Sequence, residues 1–474
     1  MRLSEKEIRL PAAPGHRNLL AHCVAEVRKL LRPGERLTRF VVTKTDAQGY
    51  QCDVGLLDGA GDRPTPAADG VFAFARRPMN GTGNFTVALV VPTGVGCEIG
   101  GHAGDAQPVA ALLAGACDTL VTHPNVVNAS DIMELPANGL YLEGSVLTRL
   151  FMGTIGLQRV QANRVLVLID EHRDAYFTTA SINAVSAARG SFGLECPAVV
   201  RVSPPIQMKA EYVGSGRAAG RIEGLERLED ALEGYRGAYD AVAIASVVDV
   251  PSHYHLDYFK SEGKMINPWG GVEAMLTHWL SLAYDVPSAH SPMLETREVM
   301  NIDPGIVDTR IAAEAISFTF MQCILKGLQR SPRIITDRSL MQRSDVLTAS
   351  DLSALVIPDG CLGLPVLAAL EQGIPVIAVK ENRNVMQNDL AALPWAPGQF
   401  RRVENYWEAC GVLIAMRQGV APESVRRPLP KTTVVRTAAP AAANGTASAA
   451  ARNGAPAAVS NTVSRTVHVK PVAP

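Results

Sequence analysis

The chain has 474 residues, 47% of them apolar and 19% charged, with a formal net charge of −1. That apolar share supplies a large buried core and excludes disorder over most of the length, and the balanced charge excludes a general nucleic-acid or membrane-surface role. Eight cysteines without a CxxC pair exclude a zinc ribbon or a disulfide scaffold and fit reduced thiols.

The N-terminus, Met1-Arg2-Leu3-Ser4-Glu5-Lys6-Glu7, is charged and lacks the apolar stretch of a signal peptide. No apolar run reaches the ~18 residues of a membrane helix, so a cytoplasmic protein without membrane partners is expected. Residues 1–84 read as a small α+β unit. Leu19 to Leu31 has helical spacing, and two strand-like runs around Asp46-Ala47-Gln48-Gly49 read as a hairpin. The Pro-, Gly- and Asp-rich stretch from Gly59 to Gly70 reads as a loop.

From Phe85 short apolar runs alternate with helical stretches. Strands are expected at 86–91, 119–122, 164–169, 198–202, 241–248, 334–336, 354–357 and 375–379. Helices are expected at 105–116, 179–189, 224–234, 270–283, 308–329, 364–372 and 405–417. Continuous Val/Ile/Leu runs mark strands buried on both faces. The fold class is therefore α/β, a Rossmann-like core with a mainly parallel sheet over 85–427, either one body or two lobes divided near 203–215. The tail 428–474 holds no acid, five Lys or Arg and much Ala and Pro, and is expected to be disordered and basic.

In an open parallel sheet, ligands sit beyond the carboxyl ends of the strands, so the loops there carry the candidate chemistry. After the strand at 86–91 comes a glycine-rich loop with Thr93, Gly94, Gly96, Gly100 and Gly101. A helix is expected to start near Asp105. Its free amides could cradle phosphate or carboxylate; equally, the glycines could serve only a strained, close-packed turn. After the next strand come His123, Asn125 and Asn128, suited to hydrogen bonding or proton transfer. His253, His255 and Asp257 alternate, so on an extended chain all three would face one way. That gives a candidate catalytic or divalent-metal cluster that needs a ligand from a second loop.

Lys264 and Glu273 flank a helix start that Asn267 is placed to cap. Asp359, Gly360 and Gly363 form a turn before the helix at 364–372, and Glu381 follows the strand at 375–379. That strand–turn–helix–strand stretch is similar to the donor-nucleotide half of two-lobed glycosyltransferases.

Taken together, PTGxGxxxGGxAGDA at 92–106, THPNxxN at 122–128, YLEG at 141–144, HxDYF at 255–259, NPWGGVEAM at 267–275 and PDGCLG…GIPVIAV at 358–379 resemble a bacterial family catalogued as a domain of unknown function. The resemblance covers about residues 85–385 and implies no activity, substrate or catalytic residue.

The expected function is an enzyme acting on a small polar metabolite bearing phosphate or carboxylate. The glycine loop would hold the anion, and His123, His253 or His255, assisted by Lys264 or Glu273, would move protons. A glycosyltransferase-like nucleotide-sugar enzyme and a non-catalytic ligand sensor are the alternatives. The expected partner is a small molecule, not a nucleic acid; cofactor, metal identity and oligomeric state stay open.

Overall fold

The computed structural model describes residues 1–61, 70–78, 83–317 and 319–434. Met1–Val425 form one compact unit. Most of the loop expected at Gly59–Gly70, and the tail beyond residue 434, lie outside the described residues.

The N-terminal strands are β1 (Arg2–Pro11), β2 (Arg36–Asp46) and β3 (Gly49–Asp58). Next come β4 (Thr86–Leu89), β5 (Thr119–Thr122) and β6 (Gly139–Tyr141). A second group is β7 (Val165–Asp170), β8 (Val199–Val202), β9 (Gln207–Tyr212), β10 (Ala218–Glu223), β11 (Ala241–Asp249) and β12 (Ser288–Met293). The last are β13 (Leu352–Pro358), β14 (Leu362–Gly363), β15 (Val376–Val379) and β16 (Phe400–Val403).

One sheet has the order β16-β15-β13-β4-β5-β6, and every pair in it is parallel. Strands β4, β5 and β15 are buried at every residue, as the continuous apolar runs require. The larger sheet is mixed, which corrects the expectation of a mainly parallel core. Its order is β8-β7-β11-β9-β10-β1-β3-β2-β14, with β12 paired to β11. The β8-β7-β11-β12 end is parallel, whereas the run from β9 through β10, β1, β3 and β2 to β14 is antiparallel. Strand β14 follows β13 directly in the chain, so the parallel sheet hands its chain to the edge of the mixed one.

The β2–β3 hairpin forms as its turn residues indicate. Strand β1 escaped the sequence reading because its central Ser4-Glu5-Lys6-Glu7 is charged; Glu5 is nevertheless buried between arginines. The helix expected over 308–329 is confined to Met321–Gln329, preceded by one short turn at Ala312–Ala315. Phe320 enters it at φ +49°, and Asp131 takes the Ser317 and Thr319 hydroxyls and the Gln322 amide, so the chain is pinned in a loop. Among the described residues no helix is long and apolar enough to cross a membrane, and all eight cysteines are free thiols.

Helix α8 (Gly270–Tyr284, the eighth in chain order) lies against β10 with almost no gap. A Cβ at Gly271 would stand 2.1 Å from the Ala218 carbonyl oxygen and 2.4 Å from its carbon. Gly271→Ala is therefore expected to cost about 2–3 kcal/mol by overpacking, read as a lowered midpoint in urea. An unchanged midpoint would mean that the helix can slide.

Asp170 ends β7 and is 2% exposed, with Oδ1 accepting the Ile206 amide at 3.3 Å and Oδ2 without a partner. Burial pushes its pKa up to about 8. The fold thus holds this proton more tightly than the unfolded chain does. The stabilising effect is complete below the ordinary carboxyl range and is lost as pH rises towards 8. Asp170→Asn should gain on the wild type between pH 5 and pH 8, by on the order of a few kcal/mol in denaturant titrations. A constant difference across that range would contradict a buried protonated carboxyl.

Candidate functional site

The carboxyl ends of β4, β5 and β12, the start of α8 and the start of the helix Gly144–Phe151 open on one cavity of about 470 Å³. Strand ends are where an α/β sheet leaves room for a ligand, because helices cover its faces. On α8 the residues Gly270, Glu273, Ala274, Thr277 and His278 follow one another at helical spacing, and all five face the cavity.

Three histidine–carboxylate pairs line it. Glu143 lies just past β6 and caps the Gly144–Phe151 helix. Its Oε2 accepts the Ser145 amide at 2.7 Å and the Ser145 hydroxyl, and its Oε1 stands 2.5 Å from His278 Nδ1. Burial opposes ionisation of Glu143, but His278 and the Ser145 donors outweigh it and hold the carboxyl below its ordinary range. In the second pair Glu273 Oε2 lies 3.3 Å from His290 Nδ1, while His290 Nε2 meets the Ser246 hydroxyl at 2.7 Å. In the third, His255 Nε2 lies 2.9 Å from Glu295 Oε2, and its ring packs against Trp269 with centroids 5.2 Å apart.

His123 lines the same cavity as His255, but in a different state. The Val91 amide donates to its Nε2 at 3.0 Å, which leaves the ring proton on Nδ1. Burial pushes its pKa down to about 4; nearby His278 adds to the effect and Glu143 opposes it. A neutral ring with Nε2 occupied can give the cleft an Nδ1–H donor but cannot accept a proton at Nε2.

Four amides of the glycine loop are already engaged within the protein. Glu98 N donates to Arg383 O, Ile99 N to Asn382 Oδ1, Gly100 N to Asp105 Oδ1 and Ala103 N to Glu314 Oε1, all within 2.6–2.9 Å. Its glycines answer to packing: a Cβ would stand 2.6 Å from Ala218 O at Gly94, 2.7 Å from Ile266 at Gly96, 2.6 Å from Val91 at Gly100 and 2.1 Å from Cys97 O at Gly101. Thr93, Gly94 and Gly101 still border the cavity, whereas Gly96, Gly100 and Asp105 do not. The expected helix begins at Gln107 rather than at Asp105, whose buried carboxyl is pushed up to about 7 by burial.

Asn125 and Asn128 also border the cavity, with their amide groups spent on bracing. Asn125 donates to Val91 O and Gly100 O, and Asn128 to the Tyr141 hydroxyl. Asn267 caps α8 as its position suggested, accepting from the Trp269 and Gly270 amides.

The His253, His255 and Asp257 cluster does not form. The segment is the helix Tyr254–Lys260, not an extended chain, so residues two apart point to opposite sides. His255 is buried towards the cavity, while His253 and Asp257 are exposed. Among the described residues no group of three His, Cys, Asp or Glu is placed to hold a metal. Lys264 is a surface residue paired with Glu262 at 2.8 Å. Asp359 pairs with Arg402 at 2.9 Å, Gly360 makes a turn at φ +85°, and exposed Glu381 bonds through its backbone to Glu404. None of the three borders the cavity, whereas Gly363 does.

Sequence reasoning missed Glu143, His278, His290, Glu295 and Glu314. The helical stripe from Glu273 to His278 and the polar Ser246 inside the apolar run of β11 were the available signals.

A family model described as a protein of unknown function (DUF3326) matches residues 86–426, which carries the motif-based resemblance about forty residues beyond 385. An uncharacterized lipoprotein of Synechococcus sp. (strain ATCC 27144) is 32% identical over 347 residues, covering 72% of this chain and 93% of the relative. No solved structure matches the chain. The relative's name overturns the expectation of a cytoplasmic protein, which rested only on the charged N-terminus and the lack of an apolar run.

Proposed function

The chain belongs to the family of proteins of unknown function (DUF3326), and from the geometry of its own cleft we propose that it is an enzyme acting on a small polar metabolite by proton transfer. The observation that carries this is the convergence of three histidine–carboxylate pairs on one cavity at the strand ends. Packing alone gives no reason to gather so many titratable groups around one void.

In this reading Glu143, itself fixed by Ser145, orients His278 through Nδ1 and leaves Nε2 as the base facing the substrate. Neutral His123 supplies an Nδ1–H where negative charge develops. His290 is held at Nε2 by Ser246, and its Nδ1 stands 3.3 Å from Glu273 without a hydrogen bond. Arg39 and Arg149 stand in the same lining, each already paired with an acid of the protein, Glu5 and Asp285.

The fold extends the proposal. The all-parallel sheet serves as a Rossmann-like core, and the parallel end of the mixed sheet forms a second lobe, with β1–β3 as the N-terminal unit. The donor-nucleotide reading has less support, because Asp359 and Gly360 lie away from the cavity. The lipoprotein name of the relative supports a location at a membrane surface.

A panel of small carboxylates, phosphates and sugars tests the reading by thermal midpoint, since a ligand of the folded state raises it. At least one class should raise the midpoint of the wild type and leave Glu273→Gln/His278→Gln unmoved. A panel without effect on the wild type removes the support for a metabolite cleft.

A further inference from the structure

Between β12 and the helix Met321–Gln329 the chain makes a long excursion with only two four-residue helices, Arg297–Met300 and Ala312–Ala315, among its described residues. Residues 295–317 form a strap along one side of the cavity, contributing Glu295, Met300, Ile302, Glu314 and Ile316 to its lining. Ile306 and Ile316 on this strap stand out in solvent at 105% and 71% exposure. Large apolar side chains left outside a packed body mark a segment with little packing energy holding it down.

The middle of the strap is held by the fully buried Ile311 and by polar contacts. Arg310 reaches Glu98 and the Glu262 carbonyl. Glu314 sends its carboxylate into a ring of donors. Oε1 accepts the Ala103 amide at 2.6 Å and the Tyr258 hydroxyl at 3.1 Å, and both oxygens lie 3.5 Å from Asn267 Nδ2. His102 Nδ1 is 2.7 Å from the same hydroxyl, and because its Nε2 faces the Gly263 carbonyl at 3.3 Å and carries the ring proton, Nδ1 shares the Tyr258 hydroxyl proton with Glu314. Tyr258 is fully buried, Asn267 is held by its α8 cap, and Ala103 belongs to the glycine loop. The donors are therefore fixed by the fold, and the acceptor comes from a strap that leaves Ile306 and Ile316 exposed and anchors at Ile311.

We propose that Ala103 N–H, Tyr258 Oη–H and Asn267 Nδ2–H form a carboxylate-binding subsite of the cleft, occupied here by the strap's own Glu314, and that a ligand carboxylate takes its place by displacing the strap. The proposal rests on the reading of the cleft as a ligand site. Ala103 borders the cavity together with Thr93, Gly94 and Gly101 of the same loop, and its amide is the one that Glu314 holds. Carboxylate fits better than phosphate because the occupant is a carboxylate and the donors are two neutral side chains and one amide, without a cation.

The test is chemical rescue. Glu314→Ala empties the subsite and lowers the thermal midpoint. Sodium acetate, against sodium chloride of equal ionic strength, should restore about 2–4 °C in a saturable way. The wild type should not respond, and Tyr258→Phe/Glu314→Ala should lose the recovery. No recovery in folded Glu314→Ala, equal recovery in the double variant, or recovery by inorganic phosphate as large as that by acetate overturns the assignment.

If Glu314→Ala does not fold, the wild type decides. Succinate should speed tryptic cleavage at Arg310 several-fold by releasing the strap, and an unchanged rate overturns the proposal. Acetate rescue together with a cleft that converts no metabolite would remove the catalytic reading and leave the subsite standing.

Discussion

Arg217→Met is expected to cost about 3–5 kcal/mol of stability, the usual penalty for removing one partner of a buried ion network. Arg217 is fully buried just before β10, with Nη1 2.6 Å from Asp53 Oδ2 on β3 and 3.1 Å from Glu5 Oε2 on β1. Glu5 also meets Arg39 of β2 at 3.1 Å. Burial works against the Glu5 charge, but Arg217 and Arg39 outweigh it and keep the carboxyl below its ordinary range. Without Arg217 two acids would share one dry site with Arg39 alone. Denaturant unfolding should show the loss, and adding Glu5→Gln and Asp53→Asn should return much of it, because the uncompensated charge carries the penalty. A loss under about 1 kcal/mol would mean that water reaches the cluster and that the N-terminal strands are not welded to β10 by these charges.

Glu143→Gln is expected to lower turnover about 10²–10⁴-fold while leaving the fold in place, since the amide keeps the shape and one acceptor oxygen. The carboxylate does two things at once. It fixes the ring of His278 at 2.5 Å, and in the proposed reaction it balances the positive charge that the ring takes on. The amide can retain a hydrogen bond but not the charge. Near-native ellipticity and midpoint with strongly reduced conversion is the expected pattern. Equal conversion by both proteins would confine Glu143 to capping its helix.

Much of the fold was legible because the strands of the parallel sheet are apolar on both faces and leave an uninterrupted Val/Ile/Leu signature. The expected strand at 119–122 and the helix at 364–372 match the observed bounds. The mixed sheet was less legible. Strand β1 hides charged residues that are neutralised only by Arg39 and Arg217, more than thirty residues and more than two hundred residues away, and no local pattern can announce such partners. At the cleft, Glu273 and His255 were recognised, but their partners His290 and Glu295 stand on and just beyond β12, which the sequence did not mark as a strand. The HxHxD spacing misled because a period of two was assumed where the chain is helical. The glycine loop was ambiguous between anion cradle and close packing, and contact with Ala218, Ile266 and Val91 accounts for three of its glycines.

The proposed function has the cleft do chemistry on a small polar metabolite. The most direct measurement is mass spectrometry of a polar-metabolite extract incubated with the wild type and with His278→Gln. One metabolite should fall and a product of related mass should rise with the wild type, and neither should change with the variant. An extract left unaltered by the wild type, or altered equally by both proteins, would contradict it.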